Sequence, residues 1–175
     1  MSLSMYQASI PVFISILGNL SEILTKAEAY AAAKKIEPTV LIQSRLAADM
    51  FPLARQVQIA TDGVKGCAAR LSGTEIPSYP DTETTFPQLQ ERIAKTVKFL
   101  KTFKPEQIDG SEDKAIALKV GGNELSFKGQ VYLLSFVNPN FFFHVTAAYA
   151  ILRHIGVEIG KMDYLGASPS SAKAA

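Results

Sequence analysis

Tryptophan is absent from this sequence, cysteine occurs once and histidine twice. A single cysteine, Cys67, excludes a disulfide within the chain and fits a reducing compartment. Two histidines, His144 and His154, limit any metal chemistry that depends on imidazole. There is no GxGxxG, no Walker loop, no CxxC, no HExxH and no GxSxG, so the common nucleotide, zinc and serine-hydrolase signatures are missing. Charge of one sign is also lacking. The net charge is +2, from 18 basic and 16 acidic residues, and no basic cluster offers a nucleic-acid surface. Lys95, Lys98, Lys101 and Lys104 fall three apart, but apolar positions interleave them, as on a solvated helix face. No unbroken apolar run reaches the roughly 20 residues that span a bilayer. The N-terminus shows no basic n-region and no A-x-A-type cleavage site. The expectation is a cytoplasmic protein without a membrane segment or nucleic-acid partner.

What is present is apolar periodicity. The chain has 175 residues, 47% apolar and 19% charged, which suits one globular domain. That domain is expected over residues 1–166, with the small, polar residues 167–175 as a flexible tail. Four segments carry the alternating three- and four-residue spacing of a buried helical stripe. They are Tyr6–Ile10–Phe13–Leu17–Leu20–Leu24, Leu53–Val57–Ala60–Val64–Cys67–Leu71, Phe86–Leu89–Ile93–Thr96–Leu100–Phe103 and Phe141–Val145–Ala148–Leu152–Ile155. Punctuation agrees with them. Pro52, Pro87 and Pro139 suit first turns, Pro11 suits a first turn or a kink, Thr84 or Thr85 and Asn138 suit caps, and Gly73 and Gly156 suit helix ends. Four such stripes predict an all-α four-helix bundle.

Between the third and fourth helices, AIALKV and ELSF flank Gly121-Gly122-Asn123, which predicts a small β-hairpin. The fourth helix, FFFHVTAAYAIL, is apolar on every side and therefore predicts burial on more than one side. A homodimer through this surface is the expected assembly.

Few residues offer chemistry. His144 lies about 60° from Phe141 around the fourth helix, at the edge of the core face, and His154 lies on roughly the opposite side. Asp49 and Gln56, seven apart, are placed to flank the second stripe and to face His144 across the core. One nitrogen and two oxygens can hold a divalent ion, or form a satisfied polar network at the core rim. Tyr149 is a candidate proton donor to the same cluster. Cys67 falls on the apolar seam, where a thiol acts as a small hydrophobe. Arg55, Gln58 and Asp62 fall opposite the seam and predict an exposed, charge-bearing outer face.

The segments DMFPLARQVQIATD, FKGQVYLLSFVNPN and PNFFFHVTAAYAILRHIGVEIGKMDYLG are together similar to the domain-of-unknown-function 1993 family. The resemblance runs from SMYQASIPVF to KMDYLG and places the chain among the DinB/YfiT-like putative metalloenzymes. It implies an up-down-down-up four-helix bundle. It also implies a three-histidine metal site, one ligand from the second helix and an H-x3-H pair from the fourth, with zinc or nickel as the metal and thiol-dependent transferases among the relatives. The second helix here has no histidine, and Ala148 stands four residues after His144. The expectation is a bundle without that site, acting as a ligand-binding or interaction module. The alternative is a metal-dependent or acid–base enzyme remodelled around His144.

Overall fold

Pro11 opens the first long helix, α1 (Ile10–Lys34), in the first turn, where no hydrogen bond is lost. The computed structural model describes residues 3–166, and helix accounts for 63% of the chain. The tail expected at 167–175 lies outside the described residues. The Ala-rich stretch after Leu24 continues α1 without a bend until Lys35 turns left-handed at φ 55°. By length and composition α1 could cross a membrane, at mean hydropathy 1.3. Here its stripe of Phe13, Leu17, Leu20 and Leu24 is fully buried in the protein core.

A short helix, α2 (Pro38–Gln43), and a loop lead to α3 (Leu53–Ser72). Pro52 stands one residue ahead of α3, and Gly73 closes it at φ 82°. Next come α4 (Phe86–Leu100) and the single turn α5 (Pro105–Ile108). Thr85 caps α4 by accepting from the Gln88 amide, and the Gln88 side chain accepts from the Thr85 amide in return. All six residues of the α3 stripe are buried, as are all six of the α4 stripe including Phe103.

The hairpin forms as β1 (Ala115–Val120) and β2 (Asn123–Lys128), antiparallel, with Ile116 opposite Phe127 and Leu118 opposite Leu125. Gly121 and Gly122 take φ values of 57° and 85°, which a two-residue turn of the right twist requires. The turn α6 (Gly129–Val131), a π-helical stretch (Tyr132–Val137), α7 (Asn138–Ile155) and α8 (Lys161–Leu165) complete the chain.

Asn138 does not cap α7. It has helical angles, φ −59° and ψ −51°, inside a helical path that begins at Gly129. Pro139 lacks an N–H and disfavours helical geometry in the residue before it. The chain absorbs this by widening to π geometry over the six preceding residues instead of ending the helix. Among the described residues, the buried Asn138 carboxamide oxygen has no hydrogen-bond partner.

The four long helices share one core. α3 lies against α7 and α4, and α1 lies against α4, α7 and α8. Phe13 of α1 meets Phe141 of α7 edge-to-face at 5.3 Å.

Candidate functional site

His144 projects from α7 toward α3, where its Nδ1 lies 2.7 Å from Oε1 of Gln56. His144 is 8% exposed and Gln56 1%. The Gln56 amide nitrogen donates to the Phe51 carbonyl at 2.9 Å, which turns the amide oxygen toward the imidazole. An oxygen acceptor requires the proton on Nδ1, so Nε2 carries the lone pair. Nε2 has no hydrogen bond among the described residues. Burial, and then the Arg55 charge, hold the His144 pKa below its usual 6.5. The imidazole is therefore neutral at physiological pH, and the pair presents a single nitrogen acceptor.

Asp49 does not join this pair. It is exposed in the turn before α3 begins, so its seven-residue spacing from Gln56 carries no helical phase. Tyr149 is half-buried on a different face of α7, with its ring edge-on to Tyr164 of α8 at 6.1 Å. His154 is exposed in the last turn of α7. Among the described residues no three His, Cys, Asp or Glu side chains converge to hold a metal. The donor set is wrong for the three-histidine site implied by resemblance. Of the two histidines, one is buried and bonded through Nδ1, and the other lies on the outside. Cys67 is fully buried, and burial pushes its thiol pKa up, which suits a packing role.

The His144 ring lies edge-on to Phe143 at 5.3 Å. Phe143, with Leu46, Met50, Pro139, Phe142 and Ala147, lines a groove of about 330 Å³ between α7 and the loop that leads into α3. Phe143 is 57% exposed, and Leu46 and Phe51 are also exposed.

The face expected to be an exposed outer surface of α3 is instead covered. The strap Gly73–Thr85 crosses from α3 to α4 above it. Gln58 and Lys65 are buried, together with Arg92 of α4. The Arg92 guanidinium donates to Thr61 Oγ1 at 2.8 Å, to the Pro80 carbonyl at 3.1 Å and to Glu83 at 2.9 Å. Its Nη2 lies 2.9 Å from Asp62 and 3.0 Å from Asp81. Arg55 pairs with Asp81, Gln58 donates to Glu83, and Lys65 pairs with Asp62 at 2.7 Å. The ring of Tyr79 is approached by the ammonium groups of Lys65 at 3.8 Å and Lys95 at 4.2 Å. Sequence pattern gave one usable sign of this network. Arg92 falls directly beside the stripe residues Leu89, Ile93 and Thr96, where a charge needs partners.

Comparison with known proteins places these features in a family. The family model described as Domain of unknown function (DUF1993) matches residues 5–165. A solved structure, the crystal structure of a DinB family member protein from Shewanella denitrificans, is similar at 43% identity. It aligns over 94% of this chain and 93% of that one, with a TM-score of 0.84. No curated protein matches.

Proposed function

This chain belongs to the DUF1993 family, and we propose on that basis that its four long helices form an up-down-down-up bundle serving as a ligand-binding module. The observation that carries this reading is the His144–Gln56 hydrogen bond. It occupies one imidazole nitrogen and the nearest amide oxygen, and it leaves one acceptor, Nε2, without a second donor of the kind a metal needs. The apolar groove beside it suits a small molecule with an aromatic or aliphatic body.

Metal analysis of untagged protein, expressed with zinc and nickel in the medium, tests the reading. The expected content is far below one equivalent per chain. One equivalent that disappears in the His144→Ala variant would overturn it.

A homodimer through the same face is supported by the exposed Leu46, Phe51 and Phe143. Arg45 and Asp49 are exposed in the same loop and carry opposite charges, as a self-complementary two-fold contact favours. Light scattering should give twice the monomer mass at micromolar concentration. A monomer there would remove the dimer from the proposal.

A further inference from the structure

No residue between Gly73 and Thr85 is buried. Among the described residues, no backbone amide from Glu75 to Glu83 donates to another backbone group. Neither apolar burial nor a ladder of hydrogen bonds holds this strap down. Its attachments are to charge. Asp81 takes Arg92 and Arg55, Glu83 takes Arg92 and Gln58, the Pro80 carbonyl takes Arg92, and Tyr79 lies against two ammonium groups.

Beneath it the helices are polar where a core would be apolar. Gln58, Thr61, Lys65, Arg92 and Thr96 are all buried. On the helices themselves, Lys65 and Arg92 pair with a single carboxylate, Asp62, and the carboxylate partner of Arg55 lies on the strap. Three cations against one carboxylate leave two positive charges, and the strap supplies two carboxylates, Asp81 and Glu83. Burying the Arg92 guanidinium is costly unless anions are provided. Beside Arg92, an open cavity of about 240 Å³, large enough for a small solute, is lined by Tyr79, Thr82, Glu83, Gln88, Glu91 and Lys95.

We propose that the α3–α4 face is a cationic binding cleft for a small dianion. In this conformation the strap carboxylates Asp81 and Glu83 act as its internal occupant. An external dianion that reaches Arg55, Lys65 and Arg92 displaces the strap, which lifts without unfolding the helices below. The site lies on the flank of α3 away from Gln56, although the charge of Arg55 also acts on His144.

Nuclear magnetic resonance of the full chain tests the proposal, with inorganic phosphate as the probe and sodium chloride at equal ionic strength as the control. The seated strap holds the Tyr79 ring against the Lys65 and Lys95 ammonium groups, so Overhauser contacts between that ring and those side chains report its position. Phosphate should abolish these contacts while α1 amides stay protected from exchange. Asp81→Asn/Glu83→Gln should lack them without phosphate. Titration calorimetry should then find phosphate bound more tightly by that variant than by the wild type, because the competitor has been weakened. Asp62 still pairs with Arg92 in the variant, and α1 protection verifies that the helices stay folded. Three results would overturn the proposal. They are a phosphate effect no larger than that of chloride, ring contacts that persist in the variant, and contacts that are lost only together with α1 protection.

Discussion

His144 and Gln56 stand 88 residues apart in sequence and meet at 2.7 Å across the α3–α7 contact. The pair is closed at one end by the Phe51 carbonyl, which fixes the amide. Its imidazole is neutral because burial and the Arg55 charge oppose protonation.

That neutrality gives stability a pH dependence of definite sign. The folded pKa lies below the unfolded 6.5, so the unfolded chain takes up the proton first. The contribution is complete above the unfolded value and is lost as pH falls toward the folded one. Urea unfolding from about pH 7.5 to about pH 5.5 should show falling stability, and His144→Gln should flatten part of that slope. An identical slope in the variant would show that other groups dominate this window.

Gln56→Leu removes the acceptor while keeping much of the volume. It leaves the His144 Nδ1–H buried without a partner, at a cost of about 1–3 kcal/mol. The double variant with His144→Leu should be less destabilised than the sum of the two single changes, because no orphaned donor remains. Additivity in that cycle would mean that the bond contributes nothing.

Arg92→Met takes the guanidinium from beneath the strap, which removes the cation paired with Glu83 and leaves Asp62 and Asp81 to Lys65 and Arg55. Removing one partner of a buried charge cluster is strongly destabilising. Asp62 and Asp81 are more than a third exposed, so the expected loss is roughly 2 kcal/mol instead of the fully buried figure. The urea midpoint should fall accordingly, and a change below about 0.5 kcal/mol would demote Arg92 to a surface residue.

Phe141→Ala opens the centre of the core, where that ring meets Phe13. Both residues are fully buried, so the loss should reach about 3–5 kcal/mol in equilibrium unfolding. The near-ultraviolet signal of the remaining aromatics should broaden with it.

Local chemistry made much of the fold legible. The stripes of α3 and α4 are regular because each helix presents one apolar side to the shared core. Thr85 and Gly73 mark their ends by cap geometry that depends only on neighbours. Gly121 and Gly122 specify their turn in the same way. What escaped depends on distant chain. Gln58, Asp62 and Arg55 look solvent-facing along α3, because nothing in their spacing announces a strap that returns over them with Asp81 and Glu83. Asp49 looked like a partner of Gln56 only if the helix reached that far, and it starts at Leu53. Asn138-Pro139 carries the pattern of a helix start, and only packing of Tyr132, Leu133 and Val137 into the core shows that the helix has already begun.

The widened stretch before Pro139 also acts as a phase adjuster. Leu133, Val137, Phe141 and Val145 follow one another at intervals of four and are all buried. In an unbroken α-helix such a series would creep around the axis by roughly 40° at each step. Looser winding over Tyr132–Val137 takes up part of that creep, because each turn there holds more residues. The azimuth at which His144 leaves α7 is thus tied to a proline five residues upstream. Removing one residue from Tyr132–Val137 would re-time the helix, so a length change there rotates one flank of α7 against the other.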